Sequence, residues 1–262
     1  MLTIYFSGTG NTKYIAELFS HKMNTKCLSI EDNANFSEEI KLHDTVAFCY
    51  PIYGSRVPRI MRDFVAKYTS ELTGKKIVIL VTQLLFSGDG ARAFTDLFEK
   101  DTITVIYAEH FNMPNNICNF ALKRTSPKRI QQYVRKAEKK MVKICQDIQR
   151  GIVVKRGFSS FSQMLGNFQG KKWQGSNEQK DGNKAKPPIE IRAKCDVKIH
   201  EGCTACNICV SICPMKNLEN VQNEIKQKND CTICYRCVNR CSQKAITVWI
   251  HDKPKWQYKG LG

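Results

Sequence analysis

Several absences narrow what this 262-residue chain can be. No window approaches 18 consecutive apolar residues, so no membrane span is expected. The first six residues, Met1 to Phe6, read as a strand without a charged-then-apolar leader, and the cysteine total of 13 is odd. A secreted disulfide scaffold is therefore not expected, and a reducing, cytoplasmic compartment is. Acidic residues are few: 24 Asp and Glu stand against 41 Lys and Arg, for a formal net charge of +17. That balance invites a nucleic-acid reading, but the excess is regional. Residues 123–150 hold ten Lys and Arg against two acids, and residues 155–194 hold nine against three. Within 127–150, Ile130, Val134, Ala137, Met141, Ile144 and Ile148 recur at helical spacing, which leaves the bases on the outer face of a packed helix. No nucleic-acid partner is expected, since no recognition fold and no dense basic and aromatic surface beyond Lys171-Lys172-Trp173 accompanies the charge. The basic faces suit solvent or an acidic redox partner protein.

The length exceeds a usual single domain, and the chain changes character along its course. Residues 1–150 alternate short apolar runs with longer mixed segments, predicting strands over 2–6, 26–30, 45–50, 76–82 and 102–108. Helices are expected over 12–23, 58–68, 91–99 and 127–150. Residues 151–194 read as a basic linker, with almost no apolar content over 175–188. Phe158, Phe161, Met164, Leu165, Phe168 and Trp173 are too many large apolar groups for a featureless tether, so that part is expected either to pack on a domain or to lie between two. Residues 195–262 form a third, cysteine-dense segment.

Eight of the cysteines fall between Cys203 and Cys241 in an internal repeat. CTACNICVSICPMKNL at 203–218 aligns with CTICYRCVNRCSQKAI at 231–246, an offset of 28 residues. Each copy reads C-x2-C-x2-C-x3-C. Consecutive two-residue gaps bend the backbone round one face of an iron–sulfur cube, and backbone N–H groups can donate to its sulfurs. Thiolates also suit zinc, although a zinc site more often uses two paired CxxC knuckles. The first copy ends in Cys213-Pro214, whereas the second ends in Cys241-Ser242. Without the proline, the neighbourhood of the second copy's last ligand is expected to be looser or wetter. Cys195 lies outside both copies and reads as a linker or strand cysteine.

After the first predicted strand comes Ser7-Gly8-Thr9-Gly10-Asn11-Thr12, leading directly into a helix. Small residues, hydroxyls and the N-terminal end of a helix attract a phosphate, and the loop lacks the Lys of the GxxxxGK nucleotide-triphosphate pattern. The third strand ends in Tyr50-Pro51-Ile52-Tyr53-Gly54, where Tyr53 can stack on a ring and Gly54 lets backbone approach it. Thr82, Gln83, Ser87 and Gly88, in the loop after the fourth strand, are expected to form the other wall. Residues 113–116 could border the same cleft. In a doubly wound sheet, ligands gather outside the carboxyl ends of the strands at the switch point, where both motifs fall.

The chain resembles the flavodoxin–ferredoxin fusion proteins of anaerobic bacteria and archaea, through these loops and the twin cysteine runs. The resemblance implies an α/β, flavodoxin-like, doubly wound, five-stranded parallel sheet in order 2-1-3-4-5 over 1–150. A small α+β two-cluster ferredoxin domain over 195–262 would follow the linker. It implies FMN held by Ser7, Thr9, Gly10, Asn11, Thr12, Pro51, Ile52, Tyr53, Gly54, Thr82, Gln83, Ser87 and Gly88. It also implies two 4Fe-4S clusters, one on Cys203, Cys206, Cys209 and Cys241, the other on Cys231, Cys234, Cys237 and Cys213, because the fourth cysteine of each run crosses over. Bound clusters at about −2 each and a flavin phosphate at roughly −2 would offset part of the basic charge. The expected function is electron transfer between clusters, flavin and a redox partner, with no catalytic residue. The alternative is an FMN-dependent reductase of a small-molecule acceptor. For that, Tyr53, Asp89, His110 and Asn116 are proton-donor candidates by position only.

Overall fold

The computed structural model describes residues 1–120, 123–175 and 187–261. Two compact units divide the chain: Met1–Pro114 with Ser126–Gly170 and the chain end, and Asn115–Thr125 with Lys171–Gly260.

The first unit is a six-stranded, all-parallel sheet. Its strands and helices run β1 (Leu2–Tyr5), α1 (Asn11–Met23), β2 (Lys26–Ser29), α2 (Phe36–Lys41), β3 (Thr45–Pro51), α3 (Arg59–Lys67), α4 (Thr69–Leu72) and β4 (Lys76–Gln83). A 3-10 helix over Arg92–Leu97, β5 (Thr104–Asn112), α5 (Pro127–Gln149), β6 (Val154–Lys155) and α6 (Ser160–Gln174), of which the part to Gly170 belongs to this unit, follow. The strand order is β2-β1-β3-β4-β5-β6. Ile77 to Val81 of β4 are all fully buried, as expected for a central parallel strand covered by helices on both faces. On one face Ile15, Ala16 and Phe19 of α1 and Ala137, Met141, Ile144 and Cys145 of α5 share one core with Ala47, Cys49, Val78 and Leu80. The basic residues of α5 lie on its opposite side, matching the periodicity. Ser126 caps α5 by accepting from the Arg129 N–H at 3.3 Å, with Pro127 as the first helical residue.

Three expectations need correction. The five-stranded order gains a sixth strand, because Val154 and Lys155 pair in parallel with Tyr107 and Ala108 beyond the edge that β5 would otherwise leave. The helix expected over 91–99 is a short 3-10 helix, because Phe94 and Phe98 bond three residues back and the Thr95 hydroxyl competes for the Arg92 carbonyl at 2.8 Å. β5 starts later and runs further than 102–108, since β4 continues to Gln83 and pairs it with Asn112. The reading of 158–173 as packed rather than featureless acquires a form: it is α6. Most of the 175–188 tether lies outside the described residues.

The second unit is built round two small antiparallel pairs. It contains α7 (Ile189–Lys194), β7 (Val197–Ile199), α8 (Ile208–Ser211), β8 (Leu218–Val221), β9 (Glu224–Gln227), α9 (Arg236–Arg240) and β10 (Ile246–Val248). β7 pairs with β10, and β8 with β9 through a tight turn whose Gln222 and Asn223 both have positive φ. The repeat in sequence is also a repeat in backbone: Ala205 and Ile233, Asn207 and Tyr235, and Lys216 and Lys244 form three pairs 28 residues apart, each with φ between 49° and 62°. A left-handed conformation is costly for β-branched Ile233, so the surrounding loop must hold it there.

Candidate functional site

The carboxyl ends of β1, β3 and β4 bring three loops together. Gly10, the N-cap of α1, sits at φ 103°, a conformation that favours glycine, and its N–H donates to Ser7 Oγ at 3.1 Å. The first turn of α1 carries no acidic residue, so the positive end of the helix dipole is not offset there. Thr12, 1% exposed, shares a 2.7 Å hydroxyl bond with Thr82 at the end of β4. Asn11 Nδ2 donates to the Pro114 carbonyl at 2.9 Å, fastening the same loop to the chain leaving β5. Ile52 N–H donates to the Thr82 carbonyl at 2.9 Å. Tyr53 and Arg56 exchange two backbone bonds across Gly54 and Ser55, both at positive φ, so Gly54 serves a tight turn of the kind that needs such a residue. Ser87 Oγ donates to Gln83 Oε1, closing the loop after β4.

Ser7, Thr9, Gly10, Asn11, Thr12, Pro51, Ile52, Tyr53, Gly54, Thr82, Gln83, Ser87 and Gly88 thus all lie on these three connections at one end of the sheet. Other residues tie the connections down: Arg56, Arg92, Asn167 and Gln169 carry no sequence signal for it, and Asp89, a proton-donor candidate by position, proves to be an anchor. Asp89 is fully buried between Arg56, 3.5 Å away, and Arg92, at 2.7 Å. The Arg56 guanidinium also reaches Asn167 of α6 at 3.2 Å, and Ser55 Oγ donates to Gln169 Oε1. The spacing Ser162-x3-Gly166-x3-Gly170, a small-residue stripe down one helix face, was the signal available for this contact.

Three of the four proton-donor candidates, Asp89, Asn116 and His110, have defined surroundings. Asp89 is held by two guanidiniums, and the Asn116 carbonyl accepts from Asn239 Nδ2 at 2.9 Å within the second unit. Burial pushes His110 down to about 4, with Lys140 adding to the shift and Glu109 opposing it. Its Nε2 is buried without a hydrogen-bond partner among the described residues. Gly157, at φ 86°, makes room for the ring, since a Cβ there would lie 2.8 Å from His110 Cε1. The unfolded chain binds this proton near pH 6.5 and the folded one near 4, so stability falls as pH drops through that window. Between pH 7 and pH 5 the expected loss is roughly 2 kcal/mol by linkage. Urea denaturation at both pH values should show it for the wild type, and His110→Gln should lose that part of the pH dependence. An unchanged dependence in the variant would assign it to other groups.

In the second unit the eight repeat cysteines divide between two cavities. One is lined by Cys213, Cys231, Cys234 and Cys237. The other is lined by Cys203, Cys206, Cys209 and Cys241. Each cavity therefore takes three cysteines from one run and the last cysteine of the other. Equivalent backbone groups face the crossing sulfurs: Asn217 N–H donates to Cys213 Sγ and Ala245 N–H to Cys241 Sγ, both at 3.3 Å. Among the described residues no set of three or more His, Cys, Asp or Glu converges on a single ion position. The four thiols of each set surround a space instead. Cys203 and Cys206 are exposed, whereas Cys234 is buried and the rest are intermediate, so the first set is the wetter one. Pro214 lines the cavity of the second set. Cys195 is exposed at the end of α7. No described helix is long and apolar enough to cross a membrane.

Residues 2–150 match a family model described as a flavodoxin domain. Among solved structures, a flavodoxin from the domain Archaea is 17% identical, with 55% of this chain and 96% of that one covered at a TM-score of 0.36. Two-electron reduced flavodoxin of Megasphaera elsdenii is 20% identical, with 53% and 99% covered at 0.38. The Trp repressor binding protein of Bacillus subtilis is 13% identical, with 53% and 96% covered at 0.38. No curated protein sequence matches the chain.

Proposed function

The chain belongs to the flavodoxin-domain family through residues 2–150, and from that premise we propose that it is an electron carrier holding FMN in its first unit and two 4Fe-4S clusters in its second. The division of eight cysteines between two cavities, each drawing three ligands from one run and the fourth from the other, is the observation that carries the cluster half. A zinc ion needs four ligands converging on a point, and among the described residues no such set converges. Thr232, which lines the second cavity, has a buried hydroxyl without a partner among the described residues and can donate to a sulfur there. When bound, such clusters supply one-electron chemistry, and a flavin accepts one or two electrons.

The residues of this chain do the holding. The loop from Ser7 to Thr12 suits a phosphate by its helix dipole, its hydroxyls and its small side chains. Thr12–Thr82 and Ile52–Thr82 bonds fix that loop to the Tyr53 turn, whose ring and neighbouring Gly54 suit a flat aromatic system. Two of the candidate donors favour the carrier over the reductase: Asp89 is held in ion pairs, and His110 is buried and held neutral. An acidic redox partner protein matches the basic outer face of α5.

Flavin, iron and acid-labile sulfide should be measured per chain on anaerobically purified protein. One FMN with about eight irons and eight sulfides is expected by two-cluster stoichiometry. Zinc without sulfide would remove the cluster half, and clusters without flavin would remove the other.

A further inference from the structure

The helix α6 lies outside the family match, which ends at residue 150, yet its first three turns pack on two loops of the flavin site. We propose that α6 is an added wall of that site: a clamp that fixes the turn over 53–56 and the loop over 87–90 relative to each other, with Arg56 and Asp89 as positioning residues. The inference rests on the FMN reading and deepens it.

The contact is close and specific. A Cβ on Gly166 would lie 1.6 Å from Asp89 Oδ1, and one on Gly170 would lie 2.1 Å from Arg56 Cζ. From the other side, Gly88 at φ 60° meets the backbone of α6, where a Cβ would fall 2.6 Å from Gly166 N and 2.8 Å from Ser162 O. The small face of α6 is therefore a seat for one loop's backbone and for two charged side chains. Side chains bridging the other loop complete the clamp: Arg56 to Asn167, and Ser55 to Gln169. Asp89 accepts from Arg56 as well as from Arg92, so the carboxylate is the common anchor of both loops. Its complete burial makes the arrangement intolerant of a lost partner, because an uncompensated buried charge is costly. Ser159 Oγ, accepting from the Ser162 N–H at 3.2 Å, starts the helix at the point where its small face must begin. The opposite face carries Phe161, Met164 and Phe168, all exposed, so these three apolar groups do not hold the helix against the loops.

Two variants test this. Gly166→Ala pushes a methyl into Asp89, and the double variant Asn167→Ala with Gln169→Ala removes the polar ties without adding volume. FMN titrated into apoprotein by fluorescence quenching should bind at least tenfold more weakly to Gly166→Ala and about fivefold more weakly to the double variant, by the usual worth of one hydrogen bond. Amide exchange in the flavin-free protein supplies a second readout. The clamp requires selective acceleration over 52–57 and 87–91, with α1 and β1 unchanged. A merely stabilising helix would raise exchange across the unit without singling out these loops. Wild-type protein that takes up no FMN would sink the flavin reading. Wild-type uptake with unchanged affinity and unchanged loop exchange in the double variant would sink the clamp alone.

Discussion

Replacement of Cys234 by Ser is expected to cost the protein about four irons and four sulfides per chain and to leave its flavin content unchanged. Cys234 is 7% exposed and lines the cavity shared with Cys213, Cys231 and Cys237. A serine hydroxyl is a hard, protonated group at neutral pH and replaces a soft thiolate poorly. The more discriminating experiment uses the crossing cysteines. Cys213 belongs to the first run but lines the second cavity, and Cys241 the reverse. Cys213→Ser should therefore reproduce the electron paramagnetic resonance signature lost in Cys234→Ser, whereas Cys241→Ser should match Cys206→Ser. If each crossing variant instead matched its own run, the ligand sets would be wrong. Retention of both clusters in Cys234→Ser would be equally decisive.

The parts of this molecule that sequence made legible are those whose signal is local. Hydrophobic runs marked β3 and β4 because a doubly covered parallel strand must be apolar throughout, as Val46 to Tyr50 and Ile77 to Val81 are. The spacing of Ala137, Met141 and Ile144 marked α5 for the same reason. Cysteine spacing carried the repeat, and the repeated left-handed residues show that the spacing prescribes a backbone path. What escaped depends on distant partners. Val154 and Lys155 are too few to read as a strand and become one only against Tyr107 and Ala108. α2 is six residues long, recognisable chiefly by Asn35, whose side chain accepts from the Glu38 N–H. α6 hid because its inward face is made of Ser and Gly while Phe161, Met164 and Phe168 face outward, the reverse of the usual amphipathic pattern. Asp89 looked like a candidate acid because its two guanidinium partners come from positions 33 residues before it and three after it.

Replacing Thr9 and Thr12 together with Ala should weaken FMN binding by about two orders of magnitude, since each hydrogen bond to a charged group is worth roughly 1.5–3 kcal/mol. Thr12 is the instructive member of the pair. Its hydroxyl is buried and already bonded to Thr82, and a hydroxyl can donate one bond while accepting another. Thr12→Ala therefore removes a donor from the phosphate loop and also leaves Thr82 without its partner, loosening the link between the ends of β1 and β4. Thr12→Ser keeps the hydroxyl and should retain most of the affinity. Fluorescence titration of apoprotein with FMN measures all three variants, and iron content should be unchanged in each, because the repeat cysteines proposed as ligands belong to the other unit. A double variant that binds FMN within threefold of wild type would place the phosphate elsewhere. A serine variant as weak as the alanine one would shift the explanation from hydrogen bonding to the packing of the Thr12 methyl. The pattern expected here, loss with Ala and recovery with Ser, follows from a loop that relies on hydroxyls and a helix terminus in place of basic side chains.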